Sequence, residues 1–151
     1  MTALARTIHV LNGPNLNRLG KREPEIYGHT TLAEVEAMCR AAAGEDTIVF
    51  RQTNWEGQLV EWIHEATDGA GEGIVINPAG LTFTSIPVLD ALKMFGGPII
   101  ELHISNIHRR EAIYHRSLVS TAATAVIAGL GAAGYATAVR AMRDLLGQAR
   151  P

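Results

Sequence analysis

Along Glu101-Leu102-His103-Ile104-Ser105, polar and apolar residues alternate. If the segment is a strand, its period of two puts Glu101, His103 and Ser105 on one side and Leu102 and Ile104 on the other. A carboxylate two residues from a histidine can orient the imidazole and raise its basicity, as general acid or base work requires. A second stretch, Leu19-Gly20-Lys21-Arg22-Glu23-Pro24-Glu25-Ile26-Tyr27-Gly28, carries Arg22 and Tyr27 between glycines. It is long for a strand-to-helix connection, and such segments often act as lids. A free tyrosine titrates near pKa ~10, so it serves as a base at neutral pH only with cations close by. A drop of about two to three units needs roughly 3–4 kcal/mol of preference for the phenolate. Arg22, and Arg110 from the loop after the strand, are the candidate cations. Each segment alone also has an ordinary reading, as a satisfied strand-end histidine and an exposed loop tyrosine.

The elements that must position these groups follow from hydrophobic patterning. Short apolar runs at 7–11, 47–50, 73–76, 98–103 and 122–128 read as strands. Segments 31–43, 57–66, 87–95 and 134–146 carry apolar residues at helical spacing. Strands that alternate with helices, each nearly continuous in apolar residues, predict a parallel sheet covered on both faces. The expected fold is α/β, a flavodoxin-like doubly wound five-stranded parallel sheet, in a single domain spanning 1–151. Four strands run into polar clusters, at 12–15, 52–54, 77–80 and 103–106. In open α/β sheets, ligands bind outside the carboxyl ends of the strands, so the four clusters predict one crevice.

Composition limits the partners. The chain has 151 residues, 47% of them hydrophobic and 19% charged, with a formal net charge of −2. That balance gives no electrostatic footprint for nucleic acid or an anionic membrane, and His108-Arg109-Arg110 is too short to supply one. The longest apolar runs fall short of a membrane span, and the apolar N-terminal stretch is too short for a signal peptide. The expected location is cytoplasmic. One cysteine, Cys39, excludes a disulfide framework and a cysteine-based zinc site, and the six histidines lack ligand spacing. Cys39 lies on an apolar helical face as an inert core thiol, and Trp55 and Trp62 are expected in or near the core. Gly129-Leu-Gly131-Ala-Ala-Gly134 has the outline of a dinucleotide fingerprint, but that motif needs a following strand and an acid about 20 residues on. Only 17 residues remain after Gly134, all helical in pattern, so these glycines read as a tight turn.

From Val10 to about Met142 the chain resembles the type II 3-dehydroquinate dehydratases (type II dehydroquinases). The likeness rests on LNGPNLNRLGKREPEIYG, RQTNWEGQLVEWIHEA, INPAGLTFTS, IELHISNIHRRE and GLGAAGYATAVRAM, in that order. The resemblance implies a flavodoxin-like fold, no cofactor, no metal, and a homododecamer built as a tetramer of trimers. It implies trans elimination of water from 3-dehydroquinate through an enolate, giving 3-dehydroshikimate. Tyr27 then matches the tyrosinate base, Arg22 the lid arginine beside it and Arg110 a second cation. His103 matches the general acid, oriented by Glu101, and Asn15 matches the residue that holds a water near the enolate oxygen. Asn77, Ile104 and Ser105 match the anchor for the substrate's hydroxyl and carboxylate, and Asp90 matches a residue that in the family contacts a neighbouring subunit's site.

Three departures accompany the likeness. Phe83 stands where the family carries histidine, and Leu89 where arginine is common. Ile113-Tyr114-His115-Arg116-Ser117 replaces Phe-Arg-x-His-Ser, so that Tyr114 and Arg116 differ from the pattern. The family's histidine and arginine at the positions of Phe83 and Tyr114 contact ring hydroxyls. Phenylalanine cannot donate a hydrogen bond, and a site that loses a polar partner can lose discrimination. One reading is an ordinary dehydroquinase in which Arg116 or another group compensates. A second is a diverged dehydratase of a related cyclic hydroxy-ketone, and a third is a non-catalytic flavodoxin-like binding module.

Overall fold

The computed structural model describes residues 5–69 and 71–148, so the first four residues of the N-terminal stretch lie outside it. The elements are β1 (Thr7–Asn12), α1 (Pro24–Tyr27), α2 (Leu32–Ala43), β2 (Thr47–Gln52), α3 (Glu56–Asp68), β3 (Gly71–Asn77), α4 (Ile86–Lys93), β4 (Ile99–His103), β5 (Ala125–Ala128) and α5 (Ala133–Gln148). All strand pairs are parallel. The sheet order is β2-β1-β3-β4-β5. The chain winds outward from β1 in both directions, which places the topological switch between β1 and β3.

Local chemistry fixes the helix starts. Thr31 caps α2 by accepting from the Glu34 N–H at 3.2 Å, and Ser85 caps α4 by accepting from Val88 at 3.0 Å. Pro87 fits the first turn of α4, where its missing N–H costs nothing. Val35, Cys39 and Ala43, four residues apart, bury one face of α2. They join Ile8, Val10, Val75, Ile100, Leu102 and α5 in one core. Leu11, Ile74, Ile76 and Ile99 point through the sheet to the second core, under α3 and α4. Burial on both faces is the physical reason the strands read as unbroken apolar runs.

Three features depart from or refine the sequence reading. Strand β5 begins at Ala125 rather than 122, because a 3₁₀ turn at Val119–Thr121 precedes it. Only at Thr124 does the chain meet β4, where its N–H donates to the Ile99 carbonyl at 2.7 Å. Trp55 is not in the core: it is 74% exposed. It precedes α3 and falls outside the stripe of Leu59, Ile63 and Ala66 that buries that helix. Trp62 is half-buried, with the Arg51 guanidinium over its ring at 5.4 Å. Gly129 and Gly131 adopt φ of 91° and 68° and donate to the carbonyls of His103 and Ile104 at 3.2 and 3.0 Å. The glycine motif therefore braces the end of β4, and among the described residues α5 is followed by no strand.

Candidate active site

The pleat of β4 puts Glu101 and His103 on one face, as the alternation predicts. Glu101 is fully buried, and its Oε2 lies 2.5 Å from His103 Nε2. With Nε2 engaged, Nδ1 is the imidazole nitrogen left for a ligand. Glu101 Oε1 accepts from the Ser120 hydroxyl at 2.6 Å. Burial alone would push this carboxyl up. Hydrogen bonds from His103, Ser120 and Ser117, with the charge of His103, together outweigh that and hold it below the ordinary carboxylate range. The histidine is thus backed by an ionised carboxylate fixed from both sides. Ser117 and Ser120 escaped the sequence reading because no periodicity links them to Glu101; they meet it only through the loop that leads into β5.

The segment 19–28 delivers the tyrosine. Glu23 adopts φ of 34°, Pro24 opens the single turn α1, and Gly28 closes it at φ 79°. Tyr27 at the end of this turn reaches the mouth of the sheet. Its phenolic oxygen accepts from Arg110 Nη1 at 3.0 Å, while the Arg22 guanidinium lies over its ring, 4.5 Å from the centroid. Of the two candidate cations, Arg110 meets the oxygen and Arg22 the π-face. Arg22 is also paired with Glu23 at 3.6 Å, which offsets part of its charge.

Between these groups lies the β1–β3 switch point. Gly13 donates to the Asn77 carbonyl at 2.8 Å. A Cβ at Gly13 would collide with the Pro78 carbonyl, so only glycine permits this approach. Below it, Tyr135 of α5 is fully buried, donating to Asn12 Oδ1 at 2.7 Å and accepting from Asn77 Nδ2 at 2.9 Å. Asn77 Oδ1 accepts from the Ala79 N–H at 3.2 Å, leaving one amide hydrogen and one lone pair of Asn77 for a ligand. Asn15 is exposed at φ 72°, its N–H held by Asn54 Oδ1 at 2.9 Å. Tyr135 is a further residue the sequence reading missed, since a tyrosine on an apolar helix face carries no mark of what its hydroxyl reaches.

Arg22, Tyr27, Asn15, Asn77, Phe83, His103, Ile104, Ser105, Arg110 and Tyr114 all line one crevice of about 170 Å³. Glu101 stands behind His103 rather than in the lining. Asp90 is exposed on α4 and does not line the crevice of its own chain, and neither does the exposed Arg116. Phe83 lies near-parallel to the His103 ring at 6.2 Å and edge-on to Tyr114 at 5.4 Å. Among the described residues no three His, Cys, Asp or Glu side chains gather as a metal cluster, and no helix is long and apolar enough to cross a membrane.

Residues 6–143 match the family model described as dehydroquinase class II. The chain is 58% identical over 139 residues to the 3-dehydroquinate dehydratase 2 of Agrobacterium fabrum, covering 90% of this chain and 93% of that protein. It is 55% identical over 144 residues to a 3-dehydroquinate dehydratase of Cereibacter sphaeroides, covering 94% and 97%. The crystal structure of type II dehydroquinase from Propionibacterium acnes superposes with a TM-score of 0.85 at 42% identity, over 95% of this chain and 99% of that one. That of Butyrivibrio crossotus gives 0.89 at 35% identity, over 92% and 98%.

Proposed function

We infer the reaction from one premise: this chain belongs to the class II dehydroquinase family. It is a hydro-lyase that eliminates water from 3-dehydroquinate to give 3-dehydroshikimate. The names of its relatives favour this reading over a different cyclic hydroxy-ketone and over a binding module. The observation that carries the mechanism is a base and an acid on one crevice: Tyr27 under the Arg110 guanidinium, and His103 braced by Glu101.

Tyr27, as phenolate, takes the proton alpha to the ketone, and the electron pair moves onto the carbonyl oxygen as an enolate. In this step Arg110 meets the phenolic oxygen and Arg22 lies over the ring, so two cations flank the phenolate. A water held by Asn15 hydrogen-bonds the enolate oxygen. The enolate then collapses, the carbon–carbon double bond forms, and the β-hydroxyl leaves as water with a proton from His103. Glu101 orients the imidazole and stabilises its protonated form. Asn77, Ile104 and Ser105 anchor the substrate's hydroxyl and carboxylate, while Phe83 and Tyr114 bound the ring side of the crevice.

Family membership also supports one domain across 1–151, a cytoplasmic location and a homododecamer built as a tetramer of trimers. Val126 on edge strand β5, Ile86 at the start of α4 and Met94 just after it are exposed apolar side chains that such an assembly would cover. Asp90 on α4 would then serve a neighbour's crevice. Light scattering of the purified protein tests the assembly.

The activity test is ultraviolet absorbance of purified protein mixed with 3-dehydroquinate, with Tyr27→Phe as the blank. The expected outcome is a Tyr27-dependent rise from the conjugated enone. A flat trace from folded protein would overturn the assignment.

A further inference from the structure

The guanidinium that meets the base is supported by an aromatic face rather than by a carboxylate. Among the described residues no carboxylate pairs with Arg110, whereas Arg22 has Glu23, Arg40 has Glu36 and Arg143 has Asp46. Arg51 likewise pairs with Glu65. The Arg110 Cζ instead lies 4.1 Å from the centroid of the Tyr114 ring, nearer than to the Tyr27 ring at 5.6 Å. Tyr114 is in turn steadied by the edge-to-face contact with Phe83, whose other neighbour is His103. On the backbone side, a His115 ring nitrogen lies 2.6 Å from the Arg110 carbonyl oxygen.

From this arrangement, and resting on the reading of Tyr27 as the base, we propose that Tyr114 is a positioning residue: its ring face holds the Arg110 guanidinium on the Tyr27 oxygen. The choice of partner matters physically. A carboxylate would fix the guanidinium equally well, but its negative charge would cancel much of the field that a phenolate needs. An aromatic face attracts a cation through its quadrupole and carries no net charge, so the guanidinium is held with its charge undiminished. Tyr114, a departure from the family's motif, thereby acquires a role in the chemistry of this chain, and Phe83 buttresses it.

The charged and titratable groups around the pair are Arg22 and Glu23 on the lid, His103 with Glu101 across the crevice, and His115 with His108 on the loop. Tyr114→Leu removes the π-face while leaving all of them, and Arg110 itself, in the chain. A change in the pH profile then reports the placement of an existing charge rather than its loss.

The experiment is the kcat–pH profile of Tyr114→Leu and Tyr114→Phe beside wild type, with folding checked by circular dichroism. The expected result for Tyr114→Leu is an acid limb displaced upward by about one pH unit, with kcat at pH values below the limb down about tenfold. Tyr114→Phe keeps the ring face and holds the limb at the wild-type position, whatever it does to KM. Tyr114→Gln, also without a ring, replaces the leucine variant if that one does not fold. An unmoved limb in the ringless variant, or an equal displacement in Tyr114→Phe, overturns the proposal. Failure of the underlying reading is separate: it would appear as turnover retained by Tyr27→Phe.

Discussion

Tyr27 and Tyr135 carry the same phenol and line opposite levels of the same end of the sheet. Tyr135 is wholly enclosed, and both roles of its hydroxyl are filled by neutral amides, Asn12 as acceptor and Asn77 as donor. Burial pushes its titration well above the ordinary tyrosine range, with the hydrogen bond from Asn77 offsetting only part of that. It is a neutral strut that ties β1, β3 and α5 together beneath the crevice. Tyr27 is half-buried on a single helical turn, with one guanidinium on its oxygen and another over its ring. The side chain alone does not distinguish the strut from the proposed base; the charge and exposure of its neighbours do.

The comparison is broken most directly by deleting each hydroxyl. Tyr27→Phe should lower kcat by ~10³-fold or more, with the denaturation midpoint unchanged, because the lost oxygen has chemistry but little packing to do. Steady-state rates and a denaturant titration on the same sample check both halves. Glu101→Gln comes next: it removes the charge behind His103 while keeping its shape, and should cost about 10²-fold in kcat with a smaller change in KM. Tyr135→Phe should behave in the opposite way from Tyr27→Phe. It leaves buried Asn12 and Asn77 groups short of a partner and should cost about 1–3 kcal/mol of stability, while kcat falls by no more than about tenfold. A Tyr135→Phe enzyme of normal stability and no turnover would reverse the assignment of the two tyrosines.

Much of this was legible in the residues. The alternation at Glu101 and His103 translated directly into a shared strand face because a strand's period is local. The polar clusters at 12–15 and 77–80 met because both end strands that flank the switch point. What stayed hidden was set by distance in sequence. Arg110 and Tyr27 are brought together only by tertiary contact, so their order of contact, oxygen for Arg110 and ring for Arg22, could not be read from spacing. Ser120 reaches Glu101 across a loop of irregular turns, which have no periodicity to decode. Trp55 departs from expectation for a related reason: its type suggests burial, but its position just before α3 lies outside the helix's buried stripe.

The comparison sharpens further with Glu101, which is as completely buried as Tyr135 yet meets the opposite electrostatic outcome. Burial pushes both groups toward the neutral form. For Tyr135 one neutral donor offsets it in part; for Glu101 the donors His103, Ser120 and Ser117 and the charge of His103 together exceed it. The folded carboxyl therefore titrates below its unfolded value near ~4.3. A depressed carboxyl contributes its stability in full above the unfolded value, and that contribution is lost as pH falls through the lower folded value. Gln at 101 has no such titration. From pH 5 downward, the stability gap between wild type and Glu101→Gln should hold steady and then narrow below about pH 4.3. Denaturant titrations at half-unit intervals measure it. A gap that widened on acidification would mean that position 101 folds around a protonated acid, and His103 would then lack the anionic support on which its role as proton donor depends.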